Sequence, residues 1–237
     1  MSSLFRAARK AGIALVFAGT AIAARPADVI VTERDVAESN QEIRDAFNSL
    51  AKMWSEDFDQ LGRRFVVPRI YNYRGNVRTS CGVMTRNNAA YCPSTNSIYF
   101  DEVFVAGMRK QAARQLGTDG DMAGIGVIAH EMGHAVAMQL GYASRTTYNN
   151  EAVADCLAGT FIRRLEDDSS LGQLEDGDVD EALVGVAAAG DPEVEMTGNA
   201  RVDARRQAAL RRNAHGTADQ RVSNFRTGMA RGIRGCL

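Results

Sequence analysis

Apolar side chains at Val36, Ile43, Phe47, Leu50, Trp54, Phe58 and Leu61 recur at intervals of three, four and seven. That spacing predicts a long amphipathic helix over about residues 36–62. The pattern then changes. Residues 64–73, "RFVVPRIYNY", and 97–100, "SIYF", have the β-branched and aromatic content of strands, and a turn-rich segment with two cysteines joins them. A small antiparallel sheet or hairpin is the expected product. Helical spacing returns at 101–115 and continues through 121–140, 149–165, 178–189, 200–212 and 217–231, the last opening with Thr217 and Gln220 in capping-box register. The chain therefore reads as mostly helical α+β, a small antiparallel sheet or hairpin followed by a run of helices that ends in a C-terminal helical bundle. We find no internal repeat and no low-complexity linker.

One of these helices carries unusual cargo. In "GVIAHEMGHAVAMQL", residues 126–140, two of the chain's three histidines lie four apart, with a glutamate directly after the first. Met122, Ile125, Ile128 and Ala129, then Met132, Val136 and Leu140, give the helical period, and Gly141 supplies a stop. On a helix, His130 and His134 share one face and can grip one metal ion, while Glu131 stands beside it, placed to take a proton from a water that the metal polarises. Without a metal, the stretch would be a core helix carrying two satisfied histidines.

Length and composition narrow the setting. The 237 residues, 45% of them hydrophobic, suit one domain, and a formal charge of −1 gives no bulk attraction to nucleic acid. The first 23 residues look like a secretory signal peptide: Arg6, Arg9 and Lys10 precede a short apolar run that ends in Ala21-Ile22-Ala23. Cleavage there leaves 24–237 as a single domain with its core at about 64–237, and moves the formal charge from −1 to −4. Retention of the segment would instead make it an N-terminal membrane anchor. After cleavage no stable membrane span is expected, and the destination is the periplasm, the cell envelope or the medium.

Export makes disulfides the natural fate of the four cysteines, which allow three pairings. Cys81 and Cys92 flank a loop-like segment, "CGVMTRNNAAYC", and pairing them leaves Cys156 with Cys236. Late in the chain, charge separates into eleven acids from Glu166 to Glu195 and nine arginines from Arg201 to Arg234, read as solvated faces of neighbouring helices. The run "DGDVDE" at 176–181 resembles the opening of a calcium loop, but Glu181 stands where glycine is needed and Ala187 where the closing glutamate belongs. Acids at a helix N-terminus account for it better.

A catalytic zinc takes three protein ligands and keeps a fourth position for water, so one more donor is required. Positions 137 and 140 are alanine and leucine. In the next helix, "NNEAVADCLAG", Glu151 and Asp155 are one turn apart on one face. Glu151 can complete a His₂Glu site, and Asp155 can accept a hydrogen bond from the far ring nitrogen of a zinc histidine, fixing its tautomer.

"HEMGH" followed by "EAVADCLAG" resembles the gluzincin plan of zinc peptidases. With "SCG", "YCP", "SIYFD", "GDVDEAL", "AAAGDP" and "HGTADQRVSNFRTG", the chain resembles the bacterial putative neutral zinc metallopeptidases from about residue 80 to 232. It departs from them at Ala135, where a second histidine would follow His134, and at Val153, where glutamine is common. The resemblance implies an exported zinc metalloendopeptidase with one zinc per chain, acting on a peptide or protein substrate. It also implies an edge strand before the metal helix, placed at Ile98, Tyr99 and Phe100, that pairs with extended substrate. A second oxyanion donor is expected beside the zinc: His215, or failing it Tyr142 or Tyr148. The rival is a non-catalytic envelope or interaction protein in which zinc only stabilises the fold.

Overall fold

The computed structural model describes residues 29–192 and 196–237, without the side chains of 210–213; the signal segment read at 1–23 lies outside the described residues. Helix α1 (Glu33–Gln60) starts three residues before its apolar stripe because Thr32 and Asp35 form a reciprocal capping box. Val36, Ile43, Leu50, Met53, Trp54 and Phe58 are buried along it. Leu61 is 56% exposed at the helix end and does not belong to the stripe. Trp54 and Phe58 are 0% and 1% exposed, and burying each contributes about 1.5–3 kcal/mol.

The predicted first strand shortens to β1 (Arg69–Tyr73), since Pro68 has no N–H to give to a ladder. The cysteine-bearing segment holds three further strands: β2 (Val77–Thr79) and β3 (Gly82–Met84), which form a hairpin, and β4 (Ala89–Cys92). Strand β5 (Ser97–Asp101) lies between β1 and β4, parallel to β1 and antiparallel to β4. The small sheet is thus mixed rather than purely antiparallel. Asp101 ends β5 and caps α2 (Glu102–Leu116) by accepting from the amide of Val103.

Helix α3 (Asp121–Gln139) is buried almost all round, as its continuous apolar composition requires. Helices α1, α2, α4 (Thr147–Asp167) and α5 (Asp178–Ala188) pack around it, together with β4 and β5. Helix α6 (Ala200–Asn213) lies mostly exposed, and α7 (Ala218–Arg231), opened by the expected Thr217–Gln220 capping box, runs against α4 before a short 3₁₀ turn at Gly232–Gly235. Two disulfides, Cys81–Cys92 and Cys156–Cys236, tie the hairpin to the end of β4 and the C-terminus to α4. Both match the pairing expected from sequence.

Candidate metal centre

Two helices build the centre, and a glycine sets their separation. A Cβ on Gly133 would lie 2.7 Å from the carbonyl oxygen of Ala154, so only glycine lets α4 approach α3 this closely. The approach brings Glu151 between the two imidazoles: its Oε2 is 3.0 Å from His130 Nε2 and its Oε1 is 3.4 Å from His134 Nε2. The rings meet edge to face with centroids 4.7 Å apart.

These distances suit a tetrahedral ion. Donors held about 2.0–2.1 Å from zinc lie roughly 3.3 Å from one another, and the donor atoms of His130, His134 and Glu151 all fall within 4.8 Å. Electrostatics agree. Burial and the Arg221 charge oppose a proton on His130, yet Asp155 and Glu151 outweigh them and push its pKa up to about 10. For Glu151, burial works against ionisation, but the hydrogen bonds and charges of His130 and His134 hold its carboxyl far below the usual range. The meeting point of these three side chains therefore favours positive charge, and the donor set fits zinc.

Behind the ligands, Asp155 is completely buried, and its Oδ1 lies 2.8 Å from His130 Nδ1, the contact anticipated for fixing the tautomer. Glu131, 6% exposed, turns toward the sheet, where its Oε2 accepts the amide of Tyr91 at 2.6 Å. A cleft of about 870 Å³ opens over the centre. His130, Glu131, His134 and Glu151 line it, as do Tyr142, His215 and Arg221.

Ile98, Tyr99 and Phe100 do not form the edge assigned to them. β5 is hydrogen-bonded on both sides, Ile98 and Phe100 are 0% and 4% exposed, and Tyr99 stacks on Tyr71 at 5.3 Å. The edge facing the cleft is β4. Asn88 accepts the amide of Asp101, so by antiparallel alternation Ala90 and Cys92 also face β5, leaving Ala89 and Tyr91 to face outward.

His215 reaches the cleft, with its side chain 55% exposed. Its backbone amide and that of Gly216 donate to Asp191 Oδ2 at 2.5 and 3.1 Å, and its Nδ1 lies 3.5 Å from Asp191 Oδ1. Of the competing phenols, Tyr142 lines the cleft whereas Tyr148 packs beside Gly216.

Sequence reasoning missed Arg221, which was counted among solvated arginines but is only 5% exposed and bonded to Asp155. A signal was present. Arg221 is in register with Phe225 and Gly228, the buried stripe of α7, where a cation is costly unless paired.

A profile of the "Putative neutral zinc metallopeptidase" family matches residues 18–236. The uncharacterized protein YpfJ of Escherichia coli (strain K12) is 32% identical over 195 residues, covering 76% of this chain and 63% of that protein. The uncharacterized protein Rv2575 of Mycobacterium tuberculosis (strain ATCC 25618 / H37Rv) is 29% identical over 184 residues, 70% of this chain and 59% of that one. The chain thus spans about three fifths of the length of these curated relatives. No solved structure matches it.

Proposed function

This chain belongs to the putative neutral zinc metallopeptidase family, and from that premise we propose that it is an exported peptidase that hydrolyses peptide bonds with one zinc held by His130, His134 and Glu151. The observation that carries the proposal is the convergence of those three donors at the floor of an open cleft with Glu131 beside them. When bound, zinc supplies Lewis acidity, polarising a carbonyl and bringing the pKa of a water toward about 7.

The chain's own groups supply the rest. Glu131 takes the proton from the attacking water and returns it to the leaving amine. The hydrogen bond from Tyr91 N–H holds one of its carboxylate oxygens at β4 and leaves the other for that proton. Extended substrate pairs with the outward backbone groups of β4 at Ala89 and with the Tyr91 carbonyl, the Tyr91 amide being held by Glu131, an edge that supports strand addition. His215, steadied by Asp191, donates to the oxyanion, with Tyr142 as the competing donor. Asp155 holds His130 so that Nε2 turns toward Glu151, as a shared metal would require.

Two disulfides support an oxidising compartment, and no helix among the described residues is long and apolar enough to cross a membrane. Cleavage profiling of a peptide mixture by residues 24–237 and by the Glu131→Gln form tests the reading. We expect site-specific cleavage by the first, and by the second a loss of orders of magnitude with zinc retained. Equal cleavage by both forms overturns the general-base role.

A further inference from the structure

Arg221 enters the metal centre from the first turn of α7, a helix that contributes none of the ligands. Its Nη2 donates to Asp155 Oδ1 at 2.6 Å, and its Nε lies 3.2 and 3.1 Å from Oδ1 and Oδ2. Nη1 donates to the carbonyl of Ala189, just past the end of α5, at 2.9 Å. The guanidinium is thus fixed between α4 and α5. Asp155 Oδ1 is the atom on which both Arg221 Nη2 and His130 Nδ1 converge, and Nη2 itself lies 3.1 Å from His130 Nδ1 and 3.5 Å from Nε2. A lone buried carboxylate could rotate about its last bond. This one is turned by the guanidinium so that one oxygen faces the ligand ring.

Charge points the same way. Glu131, Glu151 and Asp155 are all buried at the centre, and a divalent ion offsets two of those three negative charges. Arg221 offsets the third.

We propose that Arg221 is a positioning residue for the metal centre, acting through Asp155 to set the orientation of His130 and hence the affinity for zinc. The proposal rests on the zinc reading above. A purely structural salt bridge between α7 and α4 is the rival, and it predicts lost stability rather than lost metal affinity. The two are separable because α7 is held to α4 in other ways: by a helix contact so close that a Cβ on Gly228 would lie 1.8 Å from the carbonyl oxygen of Cys156, and by the Cys156–Cys236 bridge just beyond its C-terminal end.

The test is zinc affinity of the full mature chain, measured by competition with a chromogenic zinc chelator, alongside thermal melts of the zinc-free forms. Arg221→Lys keeps the charge but loses the fork geometry, so we expect it to fold with a melting temperature near that of the parent and to bind zinc about tenfold more weakly. Asp155→Asn should weaken zinc by at least as much. The double variant should then be no weaker than Asp155→Asn alone, because Arg221 acts through the carboxylate. Zinc affinity of Arg221→Lys within twofold of the parent, or effects that multiply in the double variant, overturns the proposal. If the parent chain itself binds no zinc, the zinc reading fails and this one with it, whereas a zinc-binding parent with an unaffected Arg221→Lys removes this one alone.

Discussion

At its C-terminal half, α3 presents two imidazoles to one carboxylate, Glu151, with Asp155 and Arg221 behind them. At its N-terminus, Asp121 gathers with Asp119, Asp178 and Glu181, whose ligand atoms are as close to one another as those of the first group, within 4.8 Å. Proximity alone does not distinguish the two ends. What differs is how charge is balanced. At the histidine end, the hydrogen bonds and charges of His130 and His134 outweigh burial and keep Glu151 ionised, a carboxylate able to serve a cation. At the acidic end, burial and then the charges of Asp119, Asp178, Glu181 and Glu42 push the Asp121 carboxyl up to about 7, so a proton relieves the crowding. Glu181 commits both its oxygens to the amides of Gly120 and Met122, at 3.0 and 3.1 Å, satisfying donors that the start of α3 leaves free.

After loss of Glu131 itself, the largest effect that would sharpen this contrast comes from His215→Phe. It should lower kcat/KM by roughly 10²–10³, the worth of one oxyanion donor, and leave zinc content and melting temperature nearly unchanged. Full activity in a folded, zinc-loaded variant rules the role out and shifts it to Tyr142.

A second substitution probes the α4–α7 contact, through which Arg221 reaches the histidine end. Gly228→Ala places a Cβ 1.8 Å from the Cys156 carbonyl oxygen and must force the helices apart, costing about 2–3 kcal/mol. Thermal melts should fall by roughly 4–12 °C, at about 2–4 °C per kcal/mol for a domain of this size. An unchanged melting temperature would show that the two helices are not held at this separation.

The smallest effect belongs to the acidic end. Because the folded pKa of Asp121 is raised, to about 7 against an unfolded value near 3.9, the fold binds its proton more tightly than the unfolded chain does. That stabilisation is complete below about pH 4 and is lost as pH rises through about 7. Asp121→Asn, which copies the neutral form, should therefore change little at pH 4 and raise stability at pH 8. Water reaching part of the side chain screens the repulsion, so the gain is about 1 kcal/mol. A gain equal at both pH values would show that the acids around Asp121 are not its cause.

Much of this was legible in the sequence because periodicity reports burial directly. The stripe of α1, the i, i+4 pair on α3 and the matching pair Glu151 and Asp155 on α4 each announced a face before the faces were seen to meet. The strand edge that borders the cleft was misplaced for a related reason. Ile98, Tyr99 and Phe100 form an apolar run, as in strands covered on both faces, and β5 is indeed largely buried and paired along both edges. The edge itself, "AAYC", is short and built on two alanines, so it gave too weak a signal to stand out. Arg221 was hidden differently. Its partner Asp155 lies 66 residues away, and only the packing of α7 on α4 shows that a residue in an arginine-rich stretch belongs to the centre.

Everything proposed for the cleft depends on a zinc held by α3 and α4 together. Elemental analysis of residues 24–237 after dialysis against metal-free buffer tests it most directly, with Glu151→Ala measured beside it. We expect about one zinc per chain in the first and a value near zero in the second, since two imidazoles alone make a weak site. Zinc content unchanged by Glu151→Ala would contradict it.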